Sequence, residues 1–448
     1  MTPAEARDWI AGLQILGMRL GLERIRALLG ALDHPERTAP ALHVVGTNGK
    51  SSTARLAAAA LTGQGLTAGA YLSPHVGDWA ERVQVGGEPI GDAAFAQAAS
   101  AVREAAEGPA LPAGDPVTQF EALTAIAFWA FRRAGVAAMA IEAGLGGRWD
   151  ATNVLQPGAA VALTNIALEH TEFLGDTEEA IAGEKLAVCA DGADRVVVGR
   201  LSERARPAVD AELARRRITA LRYGEGLSAR EEEGGTVAVA TPLARYEGLA
   251  LELRGAYQRD NLAVAVAGAE LVAGGPLDPE ALRRAVAGVR MPGRLELVPG
   301  APAVVLDGAH NPAGAEALAR ELPGVVSGRG PVVAVVSILD YKDAAGMLDA
   351  LAPAVDLMVA TRSSHPAAAD PERLAAMARE RGAAAAVVEE PAAALAEARE
   401  EAGAGGTVIV AGSLYLLADV RPQVQAGRGE PPARLAPARK GARPSERI

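Results

Sequence analysis

Short apolar runs recur along this chain, each followed by small or polar residues and then by a segment with apolar positions three and four apart. Continuous apolar runs predict buried strands and the wider spacing predicts helices, so the repeating unit is strand, loop, helix. At the start, Ile10, Leu13, Leu16 and Leu20 predict helix over Thr2 to Leu29, with Gly17 and Gly21 as breaks. LHVV at 42–45 predicts a strand and Ser52 to Leu61 a helix. LTAGAYL at 66–72 predicts a strand, and ERVQV at 81–85 another, turning at Gly86-Gly87 as a hairpin. Asp92 to Glu107 and the segment after Thr118 predict helices, the second opened by a Thr118–Glu121 capping box. Apolar strands then end at Glu142 and before Thr164, and a helix capped by Thr177 carries Lys185. VVVG at 196–199 predicts a strand and 204–217 a charged helix, while 235–255 alternate as antiparallel strands.

The pattern changes after Pro292-Gly293. From Arg294 onward, runs at 303, 332, 355, 383 and 407 alternate with helical segments, predicting a small doubly wound sheet of four or five parallel strands. The fold class is therefore α/β, with a larger, mostly parallel sheet expected over 1–292 and a smaller doubly wound sheet over 293–420. Residues 421–448 are rich in Pro, Gly and Arg and are expected to form a disordered tail.

Length agrees with two cores, since 448 residues exceed what one ordinary domain holds. Half the residues are hydrophobic but only 3% are aromatic, so the interior is built from Ala, Val and Leu. A formal charge of -11 argues against a general nucleic-acid partner. Cys189 is the only cysteine, which excludes an intrachain disulfide and a Cys-based zinc site. No run is long enough to span a membrane and the N-terminus lacks a signal-peptide pattern, so the expected compartment is the cytoplasm, with no membrane partner.

Candidate chemistry sits at the strand ends. The segment from Leu42 to Arg55, LHVVGTNGKSSTAR, reads as strand, phosphate loop and helix. The strict loop pattern wants Gly where Val44 stands, so this is the shorter GTNGK form. Backbone N–H groups of Thr47, Asn48 and Gly49 and the helix N-terminus favour phosphate, Lys50 reaches the terminal phosphates, and Ser51 or Ser52 offers a hydroxyl to phosphate or Mg2+. The bland alternative is a turn before a helix with a solvated lysine. Ser73-Pro74-His75 follows the next strand; it is equally a ligand-facing cluster or a plain turn. Glu142 ends a buried strand, where an unpaired carboxylate is expensive, and its expected partner is Mg2+. Asp150 and Asn153 in the next loop supply further oxygens or caps. His170 lies at a third strand end, though a lone histidine is more often a packing residue and Mg2+ prefers oxygen. Asn261 opens an apolar helix and is readable as its cap, and Asp307, His310 and Asn311 follow the first C-terminal strand.

Together these segments resemble the folylpolyglutamate synthase and dihydrofolate synthase family, within the Mur ligase superfamily. The motifs are GTNGKSS (46–52), YLSPH (71–75), FEALTA (120–125), IEAGLGGRWDATN (141–153), LTNIALEHTEFLG (163–175), GEKLAV (183–188), AYQRDNLAVA (256–265), PGRLE (292–296), DGAHNP (307–312) and GSLYL (412–416). The resemblance implies an N-terminal phosphate-loop ATPase domain over 1–292 and a Rossmann-like C-terminal domain over 293–420, and a ligase in which ATP phosphorylates a folate carboxylate and the amine of L-glutamate displaces the phosphate. It implies Thr47 to Ser52, Asn261, Arg294 and Asp307 for ATP, and Ser73, Glu142 and His170 for Mg2+. It also implies Lys185 as a carbamate able to hold a second ion, with His310 and Ser413 near the amino acid, Phe120 and Arg82 on the pterin side, and a monomer. Lys50, Glu142, His170, Lys185 and His310 are the catalytic candidates. The chain departs from the family at Ser51, where Gly is usual, at Glu169, where Asp is usual, and at Ala367, where Arg is usual. Ser51 leans towards the Mur-type ligases that join an amino acid to a UDP-muramoyl peptide, the competing reading. A nucleotide-binding regulator without turnover is a third.

Overall fold

The computed structural model describes residues 1–13, 19–111, 115–326 and 330–426. Its strands, in chain order, are β1 (Ala41–Val45), β2 (Ala68–Tyr71), β3 (Val83–Val85), β4 (Glu88–Pro89), β5 (Ala138–Glu142), β6 (Ala160–Leu163), β7 (Val196–Val198), β8 (Ala220–Tyr223), β9 (Gly226–Glu231), β10 (Val237–Ala240) and β11 (Arg245–Leu249) in one sheet. A second sheet holds β12 (Glu296–Val298), β13 (Ala303–Leu306), β14 (Val332–Val336), β15 (Leu357–Ala360), β16 (Ala384–Val387) and β17 (Thr407–Ala411).

The first sheet runs β11-β10-β9-β8-β7-β6-β1-β5-β2-β3-β4. From β2 through β9 the neighbours are parallel, with antiparallel hairpins at both edges. Strand β1 lies between β5 and β6, with Val44 paired to Glu142 and Val45 to Leu163. That register brings the chain exits at Gly46, Glu142 and Thr164 to one edge, and β2 delivers Ser73 beside them. Strands β1, β2, β5 and β6 are buried along their whole lengths, because helices cover both faces, as a parallel sheet requires. One face packs under helices 50–63 and 257–273, the other under helices 92–106 and 119–133. Thr118 caps the last of these in the expected box with Glu121, whose carboxylate also meets Arg24 at 3.2 Å.

The second sheet runs β12-β13-β17-β14-β15-β16, with β13 to β16 parallel and β12 antiparallel at the edge. Its strand exits at Asp307 and Gly412 leave adjacent strands, facing the exits of the first sheet across a cleft.

The first helical stretch is two helices, 3–12 and 23–31, broken around Gly21 as expected, with Leu20 exposed; Leu16 and Gly17 lie outside the described residues. Other expectations change. Strands β8 and β9 were not expected. Asn261 is inside helix 257–273 and not its cap; the capping position is Ala256. The last helix, Leu414–Ala426, continues past residue 420, so 421–426 are helical, and the rest of the expected tail, 427–448, lies outside the described residues.

Candidate active site

The phosphate loop is held by the strand beside it. Thr164 donates its hydroxyl to the Asn48 carbonyl at 2.7 Å, and Asn165 takes the Thr47 and Asn48 amides at 3.0 Å each, on its backbone and side-chain oxygens. Thr47 donates to the Ala167 carbonyl and accepts from the Ala167 amide, both at 3.1 Å. Gly46 (φ +142°) and Gly49 (φ +83°) are required here, because a Cβ on the first would overlap the Thr164 hydroxyl and one on the second the Asn261 amide oxygen. Lys50 donates to the Thr47 carbonyl at 2.8 Å, which sets its ammonium over the loop.

Glu142 is buried between two donors: the Ser51 hydroxyl at 2.9 Å and the Ser73 amide at 2.8 Å. Burial raises its pKa above the ordinary carboxylate value, and the nearby Lys50 with these two donors offsets only part of that. The Ser73 carbonyl stands 3.5 Å from the Ser51 hydroxyl, so a carboxylate, a hydroxyl and a carbonyl gather beside Lys50. Hard oxygen donors around an under-neutralised carboxylate fit Mg2+. Ser73 meets Glu142 through its backbone.

His170 sits at φ +51°, uncommon for a residue with a side chain, at the start of a short helix. Burial, then Lys342, pushes its imidazole down to about 4, so it is neutral near pH 7, the form that ligates a metal. Its Nε2 faces the Lys342 ammonium at 3.3 Å and not Glu142. Among the described residues, no three His, Cys, Asp or Glu side chains form a metal cluster. Lys185 is buried behind the loop, donating to the Gly46 carbonyl at 2.7 Å; burial, helped by Lys50, lowers it to about 7. An amine that is half neutral at pH 7 is the form that combines with CO2, which fits a carbamate.

From the second sheet, Asp307 accepts from the Leu295 amide at 2.7 Å and the Ala309 amide at 2.8 Å. Arg294 lies against Gly308, where a Cβ would meet its guanidinium. His310 reaches across the cleft to Glu169 at 2.9 Å, and its other nitrogen meets the Gly308 carbonyl at 2.8 Å. Asn311 caps helix 312–325 and exchanges amide hydrogen bonds with Asn48, at 3.1 and 3.4 Å.

One cleft of about 1240 Å³ is lined by Thr47 to Ser52, Ser73, Phe120, Glu142, His170, Asn261, Arg294, Asp307, His310 and Ser413. Lys185, Arg82, His75 and Asn153 do not line it. Lys185 is behind the loop, and Arg82 stacks 5.2 Å over Trp79 and donates to His75 at 2.9 Å. Asp150 and Asn153 act as caps: Asp150 accepts from the Leu145 and Thr152 amides, and Asn153 donates to the Arg148 carbonyl. Sequence reasoning missed Lys342, Asn165, the bridging by Glu169 and the Asn48–Asn311 pair. Lys342 follows β14 as His310 follows β13, so the strand-end rule could have found it.

Comparison with known proteins bears on what the cleft serves. Residues 293–414 match the family model described as Mur ligase, glutamate ligase domain. A dihydrofolate synthase/folylpolyglutamate synthase of Mycobacterium tuberculosis is 36% identical over 380 residues, covering 80% of this chain and 78% of that protein. The chain belongs to the folylpolyglutamate synthase and dihydrofolate synthase family. Among this family's structures, M. tuberculosis folylpolyglutamate synthase complexed with ADP and AMPPCP superposes with a TM-score of 0.86 at 32% identity, covering 96% of this chain and all of that one. The bifunctional enzyme of Yersinia pestis, complexed with AMPPNP and a Mn ion, superposes at 0.81 and 29%, covering 96% and 98%. The recognised motifs and the α/β architecture agree with these matches. No described helix is long and apolar enough to cross a membrane.

Proposed function

We propose that this protein is an ATP-dependent ligase that joins L-glutamate to a folate or to dihydropteroate, working as a cytoplasmic monomer divided near Pro292. The observation that carries the reading is the buried Glu142 carboxylate set between Ser51 and Ser73 beside Lys50, at the loop edge of the cleft. The nucleotides and Mn ion bound by the family's structures support ATP and a divalent metal here.

In this reading the loop amides from Gly49 to Ser52 and the Lys50 ammonium hold the β- and γ-phosphates, while Thr47 and Asn48, whose amides donate to Asn165, shape the loop around them. Asn261, packed over Gly49, and Arg294 and Asp307 from the facing sheet hold the rest of the nucleotide. Ser51, Ser73, Glu142 and the neutral His170 hold Mg2+, which when bound neutralises phosphate charge as it develops. Lys185, as a carbamate, exchanges an ammonium for an anion and can take a second ion. Phe120 and, from outside the cleft lining, Arg82 are assigned to the pterin side; His310 and Ser413 to the amino acid.

A folate carboxylate oxygen attacks the γ-phosphorus, the bond to ADP breaks, and an acyl phosphate forms. The neutral glutamate amine then attacks the acyl carbon, the bond to the phosphorylated oxygen breaks, and phosphate leaves with that carboxylate oxygen and the proton the nitrogen loses. The chain's part is positioning and charge neutralisation, so no protein nucleophile is needed. The route has a direct test: with 18O in the folate carboxylate, one label appears in released phosphate per turnover. Unlabelled phosphate contradicts it.

A further inference from the structure

Glu169 precedes His170 in the exit loop of β6, and its side chain is buried in the cleft wall. One of its oxygens meets groups from two exits of the other sheet: His310 Nε2 after β13 at 2.9 Å and Lys342 Nζ after β14 at 3.5 Å. The same ammonium is 3.3 Å from His170 Nε2. We propose that Glu169 is a positioning residue for the ligase reaction: it holds His310 and Lys342 at the loop edge of the cleft, where Lys342 presents its charge to the reacting anion. The proposal rests on the reading of the site as a ligase.

Three physical arguments carry it. The carboxylate cannot be buried alone, and the two partners from the facing sheet are what offset its desolvation. His310 is fixed at both nitrogens, by Glu169 and by the Gly308 carbonyl, so the ring has one orientation. Lys342 is nearly buried and within electrostatic reach of Lys50; without Glu169 the two ammonium groups repel with no anion between them. A phosphorylated carboxylate entering beside Lys50 meets Lys342 already in place. Glu169 itself needs no contact with substrate, which separates it from the metal and phosphate ligands.

The test is a double-mutant cycle on Glu169→Gln and Lys342→Met, following ADP formation with ATP, Mg2+, glutamate and a folate acceptor. Each single variant is expected to lower kcat roughly tenfold to a hundredfold, as for a buried charge left without its partner, while KM for ATP changes little. The double variant is expected to be no slower than the slower single one. Glu169→Asp keeps the charge and is expected to recover part of the loss. Additive losses, wild-type kcat in Glu169→Gln, or Asp no better than Gln overturn the proposal. If the wild type turns over no folate acceptor, the ligase reading fails by itself. Small-angle scattering of the ligand-free proteins then decides the bridge: a larger radius of gyration for Glu169→Gln supports it, and an unchanged radius overturns it.

Discussion

Lys185 shows how burial changes what a residue can do. Its ordinary value is 10.5 and the folded value about 7, so the unfolded chain takes this proton first as pH falls. Stability therefore drops from about pH 10.5 down to about 7 and is flat below. Lys185→Met is predicted to flatten that slope in urea unfolding at pH values across this window. Lys185→Ala is predicted to bind ATP by calorimetry while losing ligase activity, and wild-type activity is predicted to fall in CO2-free buffer and recover with bicarbonate. Full activity of the alanine variant removes the carbamate. At this scale much was readable: the Thr118–Glu121 box is local, and Glu142 stands out as a charge ending an apolar run. What was not readable was partnership across the chain. Asn311 meets Asn48 and Lys342 meets Glu169 over long sequence separations, and no local spacing encodes either.

The central element is the turn between β1 and the helix Lys50–Gly63. It was legible because strand, glycines and helix are adjacent in sequence, and each glycine answers a specific collision, with Thr164 or with Asn261. Gly49→Ala puts a side chain at φ +83° against Asn261, and strain of about 1–3 kcal/mol is expected. Calorimetry is predicted to show roughly tenfold or greater loss of ATP affinity, matching at least 1.4 kcal/mol. Thr118→Ala tests the helix that carries Phe120 into the cleft: loss of the capping box is predicted to cost about 1 kcal/mol in urea unfolding. Strands β8 and β9 escaped the pattern because Leu221, Tyr223 and Leu227 are separated by charged residues and glycines, and β8 is only half-buried. Asn261 was misread because a polar residue opening an apolar run resembles a cap, while the helix begins at Tyr257 and turns Asn261 onto the loop.

At the scale of the molecule, two sheets present their strand exits to one cleft. The first contributes the phosphate loop, Ser73, Glu142 and His170; the second contributes Arg294, Asp307, His310 and Ser413. The alternation of strand and helix foretold the parallel centre of both sheets, because a helix between successive strands is a crossover written into the sequence; β8 and β9, joined by two residues, carry no such mark. Their apposition was not written locally; it entered through the family resemblance, and the facing strand exits give it a physical form. The central claim is that this cleft activates a folate carboxylate and gives it to glutamate. The most direct measurement is phosphate release with ATP, Mg2+ and glutamate, offering dihydropteroate, tetrahydrofolate or a UDP-muramoyl acceptor in turn. Glutamate-dependent release is expected with at least one of the pterin acceptors and none with the muramoyl compound. Release stimulated by the muramoyl compound alone would contradict that claim.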